Sequence, residues 1–196
     1  TSGLHVSLLA LGLKKTEEVI VPTLTFVAPI NAVRYVGASP IFIDCDKFHN
    51  LDLEKVKQFL ESNTFKKRGM TFNKKTKKRI FGIITVHVWG NSCDMKKLKK
   101  ISKEYNLKII EDASESLGSF YKFKNKKFHT GTLGDCGVIS FNGNKIITTG
   151  GGGIVLCKSK KLETKIRYLI NQAKEGIDFT HNEIGYNYRL PNLNAM

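Results

Sequence analysis

Apolar residues along this chain come in two rhythms. Leu4, Val6, Leu8, Leu9 and Leu11 crowd together at helical spacing with Gly12 behind them, which predicts a first helix ended by a glycine cap. Glu18-Val19-Ile20-Val21, closed by Pro22, has the continuous apolar character of a buried strand. Thr25 can cap a helix running to about Tyr35, with Pro29 in its first turn, where a missing N–H costs little. Pro40 to Asp44 predicts a second strand, and Asp52 caps a helix through about Leu60 with Lys55 and Lys57 outward. Residues 63–79 carry no apolar periodicity and predict a surface loop or a hairpin excursion. Ile80 to Val86 reads as a third strand, and Asp94 caps an amphipathic helix to Tyr105 that turns Met95, Leu98 and Ile101 inward. Leu107 to Ile110, Cys136 to Phe141 and Gly153 to Cys157 predict three more strands, and Leu162 to Ile170 a further helix.

Alternating strands and helices, with the early strands apolar throughout, predict an α/β layer: a mostly parallel central sheet flanked by helices. No internal repeat is visible. In such sheets ligands gather at the carboxyl ends of the strands, so the informative polar residues are those just after a strand. Asp112 follows the fourth strand, where a helix cap or a turn is the bland alternative. Ser140 closes the fifth, followed by Asn142, Gly143, Asn144 and Lys145. Lys145 stands alone among apolar and small residues, with no acidic neighbour in sequence. A lysine in a desolvated pocket loses proton affinity and can act as a nucleophile or form a Schiff base; an exposed loop lysine is the plain alternative.

Gly150 to Gly153 match neither phosphate-loop spacing and read as a tight turn into the sixth strand, with positive φ values. Thr1-Ser2-Gly3, opening a helix, is the better anion site, because hydroxyls and free N–H groups converge there with the helix dipole. Five histidines (His5, His49, His87, His129 and His181) show no metal spacing, so no metal is expected, and only His87 follows a strand.

The formal net charge of +15 over 196 residues is extreme. It invites nucleic-acid or anionic-surface binding. Only five of the 32 basic residues are arginine, and the lysine clusters at 66–68, 74–79, 96–100 and 122–127 have no interleaved stacking platform. Solvated lysine faces are the favoured reading, and no nucleic acid is expected as a partner. Cys45, Cys93, Cys136 and Cys157 include no Cys-x-x-Cys pair and read as small buried apolar residues. No apolar run reaches the length of a membrane span, no signal peptide is visible, and the cytoplasm is the expected compartment. The chain starts at Thr1 inside a helix-like pattern and stops at Met196 as another, Pro191 to Met196, begins. Both ends read as cuts, so an internal piece of a longer protein is expected.

Nine segments, taken in order, resemble a known family. They are Thr1-Ser-Gly-Leu-His5, Glu18-Val-Ile-Val-Pro-Thr-Leu-Thr-Phe26, Tyr35-Val-Gly-Ala-Ser-Pro40, Val86-His-Val-Trp-Gly90, Ile110-Glu-Asp-Ala-Ser-Glu115, Gly134-Asp135, Ser140-Phe-Asn-Gly-Asn-Lys145, Thr148-Thr-Gly-Gly151 and Glu183-Ile-Gly-Tyr-Asn-Tyr-Arg189. Singly each is weak; in this order they resemble the DegT/DnrJ/StrS family of pyridoxal-phosphate sugar aminotransferases, of fold type I. The stretch Ser140 to Gly153 is similar to the LegC branch, associated with amino sugars on the route to nonulosonic acids.

The resemblance implies roles. Lys145 matches the lysine that carries the cofactor pyridoxal 5'-phosphate, and Asp112 the carboxylate that pairs with its ring nitrogen. Ser140, with Thr1 and Ser2, matches the phosphate cradle. Phe26 matches the aromatic that stacks on the cofactor ring; without the family it would read as core. Asn187 matches a residue that reaches the neighbouring subunit's cofactor, and Glu115 a position near the cofactor's 3-hydroxyl, where an amide or imidazole is commoner.

The resemblance further implies a homodimer that moves an amino group from an amino acid, glutamate by expectation, to a keto group of a nucleotide-linked deoxy sugar. Residues 1–196 would be the large cofactor-binding domain, with an N-terminal segment and a C-terminal small domain absent. Three alternatives remain: a related sugar dehydratase, which would lack the lysine, a cofactor-free polyanion binder, and a non-catalytic regulator that keeps the fold.

Overall fold

The structure, a computed structural model, describes residues 1–176 and 179–196. In chain order its main elements are α1 (Ser2–Leu11), β1 (Glu18–Pro22), α2 (Ala28–Tyr35), β2 (Ser39–Ile43), α3 (Leu53–Asn63), β3 (Thr64–Lys67), β4 (Met70–Asn73), β5 (Ile80–Val86), α4 (Met95–Tyr105), β6 (Lys108–Asp112), β7 (Phe120–Phe123), β8 (Lys126–His129), β9 (Cys136–Ser140), β10 (Gly153–Cys157), α5 (Lys160–Ile170) and the single turn α6 (Asn192–Ala195). The six predicted strands form one sheet in the order β10-β9-β6-β5-β1-β2. Neighbours run parallel except for β9 and β10. The fold is the expected α/β layer, with a mostly parallel sheet between helices.

Alternation along the strands sends successive side chains to opposite faces. Val19 and Val21 pack with Leu4 and Leu8 of α1 and with Ala32 and Val33 of α2. Ile20, between them, packs with Val56 and Leu60 of α3 and with Leu98 and Ile101 of α4. On the first face α5 lies against α1 through Val6, Ile166 and Leu169. A bulge in β5 keeps both faces apolar: Glu18 pairs with Ile80 but Val19 with Gly82, so Phe81 is an extra residue. Ile80 and Ile83 therefore serve the α3/α4 core while Phe81 and Ile84 serve the α1/α2 core.

Local capping follows the sequence at three helices. Gly12 takes φ 90° behind α1 and returns its amide to Leu8 and Leu9. The Asp52 carboxylate accepts the amides of Glu54 and Lys55 at 2.9 and 3.1 Å, and Asp94 accepts that of Lys97 at 3.1 Å. Thr25 is a correction: α2 starts at Ala28 behind Val27, with no side-chain cap, and Pro29 sits in its first turn. The proline, whose ring needs a helix start, marks this boundary better than the nearest hydroxyl.

Residues 64–73 form the hairpin β3–β4, turning at Arg68 and Gly69 with φ 51° and 73°. Thr71 Oγ1 donates to Tyr105 O at 2.6 Å and Asn73 Nδ2 to Glu18 Oε2 at 3.0 Å, which docks the hairpin near the amino end of β1. A second hairpin, β7–β8, runs through the lysine cluster at 122–127, where charge hid its pattern. No helix among the described residues is long and apolar enough to cross a membrane.

Candidate active site

Strands β1, β5, β6 and β9 run parallel and end on one edge of the sheet, and β10 starts there, with Gly153 opposite Ser140. Asp112 is the last residue of β6 rather than the first after it, paired between Val86 and Val138. The ladder therefore fixes its direction, on the face of Ile110 and α1. Asp112 is 5% exposed, and the one hydrogen bond to its carboxylate among the described residues comes from the Ser114 amide, 3.1 Å from Oδ1.

Helix α1 begins beside that carboxylate. A Cβ on Gly3 would lie 2.7 Å from Val138 Cγ1, so glycine lets the helix start tight against β9. No side chain caps the start, and its first N–H groups stay open for an anion. Asp112 and Lys145 each lie within electrostatic reach of residue 1, at the start of α1.

Lys145 sits in the turn after β9, where its amide bonds Asn142 O at 3.0 Å. Its side chain is 17% exposed, and Nζ lies 3.9 Å from Glu115 Oε1. The fold supplies the acidic neighbour that the sequence around Lys145 lacks. The other oxygen of Glu115 accepts the Trp89 amide at 3.0 Å. Ser140 is half-buried at the end of β9, its Oγ accepting from the Asn142 amide at 3.3 Å. Gly150 and Gly152 take φ 79° and 99°, as the tight-turn reading requires.

Phe26, in the loop after β1, is 75% exposed, which corrects the reading of that ring as core. Asn187 is exposed and pairs with Asn171 after α5; none of its hydrogen bonds among the described residues leads to Asp112 or Lys145. Thr1, Ser2, Asp112, Glu115, Ser140 and Lys145 are brought together, Phe26 lies on the same edge, and Asn187 stands apart. The lysine clusters are spread over exposed surface elsewhere.

The sequence reading missed a second carboxylate. Glu111 points to the α3/α4 side and is fully buried with His87. His87 Nε2 lies 3.0 Å from Glu111 Oε2, while His87 Nδ1 accepts the Cys93 amide at 3.2 Å. An accepting Nδ1 makes His87 the neutral tautomer that donates from Nε2. Glu111 also accepts the amides of Gly131 at 2.9 Å, Leu133 at 2.7 Å and Gly134. Burial alone would push the Glu111 carboxyl up, but the bonds from His87, Gly134 and Gly131 outweigh it and hold it below its ordinary value. Its signal was the adjacent pair Glu111-Asp112, which a strand must divide between its two faces. Among the cysteines, Cys93 and Cys136 are buried as expected, with thiols pushed up to about 12 by burial. Cys45 and Cys157 are only half-buried, a correction: Cys45 follows the edge strand β2 and Cys157 ends the edge strand β10.

Chemically, the edge offers an anion seat at α1 with the Ser140 hydroxyl, and a carboxylate with an open oxygen for a cationic ring nitrogen. It also offers an exposed aromatic face at Phe26 and one sheltered amine.

The profile of the DegT/DnrJ/EryC1/StrS aminotransferase family matches residues 1–196. The chain is 39% identical to the GDP-perosamine synthase of Escherichia coli O157:H7 over 196 residues, covering 100% of this chain and 49% of that protein. It is 38% identical to the putative pyridoxal phosphate-dependent aminotransferase EpsN of Bacillus subtilis, covering 100% of this chain and 47% of that one. Among solved structures, a DegT DnrJ EryC1 StrS aminotransferase from Brucella abortus superposes with TM-score 0.86 at 27% identity, covering 98% of this chain and 49% of that one. The chain spans about half the length of the curated relatives it matches.

Proposed function

This chain belongs to the DegT/DnrJ/EryC1/StrS aminotransferase family, and from that premise we propose that it forms the cofactor-binding part of a pyridoxal-phosphate-dependent nucleotide-sugar aminotransferase. The observation that carries the reading is the convergence of Asp112, Lys145 and the open start of α1 at one end of the sheet. The residues fit the cofactor: Asp112 is buried with a spare acceptor oxygen, and the first turn of α1 holds uncapped N–H groups.

Bound pyridoxal phosphate supplies a carbonyl that carries nitrogen and a ring that takes up electrons. Asp112 would pair with the ring nitrogen and favour its protonated form. The α1 N-terminus and Ser140 bind the phosphate, and Phe26 covers the ring. Lys145 would hold the cofactor and, as a free amine, would carry a proton between two carbons. Glu115, 3.9 Å from Lys145, orients that amine.

The finer reading has glutamate as amino donor and a keto group on a nucleotide-linked 6-deoxy sugar as acceptor. Support comes from the sugar nucleotide in the name of the Escherichia coli relative. The Ser140–Gly153 stretch and Glu115 favour the LegC-like branch. Residues 1–196 are the large domain of a homodimer in which exposed Asn187 reaches the neighbouring subunit. Four free cysteines suit a reducing cytoplasm. The presence of Lys145 disfavours the dehydratase reading.

The test uses the protein extended to its natural ends, with pyridoxal phosphate added. A yellow protein, bleached by glutamate and fixed by borohydride on the Lys145 peptide, is the expected result. A colourless protein with no adduct overturns the reading.

A further inference from the structure

Two residues near the candidate site keep a costly backbone. Trp89 takes φ 50° and His49 φ 67°, left-handed values that bulky side chains rarely adopt. Their rings meet edge to face, 5.2 Å between centroids. Trp89 nevertheless remains 67% exposed. A large aromatic held in a strained turn and exposed within residues 1–196 has been given a direction rather than a place in their core.

The pair is also rigidly mounted. Asp46 Oδ1 accepts the amides of Phe48 and Asn50 at 2.8 and 3.1 Å, and Asp46 O accepts that of His49 at 3.0 Å, shaping the turn that presents His49. The buried Asn50 amide, with its nitrogen turned inward, donates to Val86 O at 3.2 Å and Asn91 O at 3.1 Å. It thereby ties the His49 turn to the Trp89 turn. On the other side the Trp89 amide donates to Glu115 Oε2 at 3.0 Å, and Glu115 Oε1 faces Lys145. One carboxylate thus links the Trp89 backbone to the amine.

We propose that Trp89, braced by His49, is the platform for the sugar ring of the acceptor, with the apolar C–H face of the 6-deoxyhexose lying on the indole. The inference rests on the function proposed above and names the specificity surface of that same site. Proximity selects the sugar. Glu115 alone links the Trp89 backbone to Lys145, so the sugar ring that bears a keto carbon at Lys145 is the part of the substrate nearest Trp89, whereas the base lies beyond two phosphates and a ribose. Apolar contact of this kind binds by removing water from both faces and tolerates any base.

The test uses the cofactor-loaded full-length enzyme, its Trp89→Ala and Trp89→Phe variants, and GDP-, UDP- and dTDP-linked 4-keto-6-deoxyhexoses. Trp89→Ala should raise the KM for the preferred sugar nucleotide about tenfold or more, with a much smaller change in the KM for glutamate, and Trp89→Phe should recover most of the loss. Trp89 is the single tryptophan of residues 1–196. Sugar-nucleotide binding should therefore quench a component of the fluorescence that Trp89→Phe lacks. Unchanged sugar KM in Trp89→Ala, with both half-reactions running, overturns the platform alone. A wild-type enzyme that glutamate never bleaches overturns the underlying function and the platform with it.

Discussion

Glu111 and Asp112 are consecutive carboxylates at the end of β6, both buried, yet they serve opposite sides of the sheet. Glu111 receives His87 and three backbone amides, so the acceptor sites of its two oxygens are occupied and its charge is spent on holding residues 131–134 to the strand end. Asp112 receives one amide, at Oδ1, and its other oxygen takes no hydrogen bond among the described residues. Burial does not distinguish the two; hydrogen-bond saturation does. A buried charge that is fully bonded stabilises the fold, and one left partly unbonded is available to a ligand.

The sharpest way to break that contrast is on the open side. In the full-length enzyme Lys145→Ala should abolish amine transfer, a loss of several orders of magnitude in kcat, while the melting temperature stays near that of wild type. Normal transfer by that variant would end its assignment. Asp112→Ala should cost on the order of a thousandfold in kcat, with a modest change in stability, because the electron-accepting state of the ring is no longer held. A mild rate effect would move the assignment elsewhere.

The closed side should answer in stability instead. Glu111→Ala should destabilise the protein by about 3 kcal/mol in urea unfolding, since it strands His87 and three amides without their acceptor. Loss of rate at unchanged stability would erase the contrast. The same network sets a pH dependence. The Glu111 carboxyl lies below its ordinary value, so its contribution is complete above the usual carboxylate range and is lost as pH falls through the lowered value. Glu111→Gln should flatten that part of the acid limb of a urea-midpoint profile; an unchanged limb would show that other groups carry it.

The smallest effect expected is in thiol chemistry. Cys93 and Cys136, buried and pushed up to about 12, should resist alkylation in the native protein, while half-buried Cys45 and Cys157 should react first. Equal labelling of all four would mean that the sheet opens more readily than its packing implies.

Much of the layer architecture was legible in the chain. Each central strand is a run of apolar residues that only a sheet covered on both sides can bury, and Asp52, Asp94 and Gly12 announced helix ends by chemistry confined to a few residues. Thr25 misled because a hydroxyl is a weaker start signal than the proline that followed it. The β7–β8 hairpin was hidden because its lysines face solvent, and solvent imposes no pattern.

The sequence by itself determined that Asp112, Ser140 and Lys145 would lie at or just beyond strand ends, and that parallel strands would gather them at one edge. That is a consequence of chain direction and alternation, both local properties. Tertiary structure alone decided the rest: that Glu115 faces Lys145, that Glu111 is bound by His87 while Asp112 stays open, and that Phe26 and Trp89 stand in solvent. Those are contacts between residues far apart in the chain, and their occupancy depends on which backbone amides the fold brings to each oxygen.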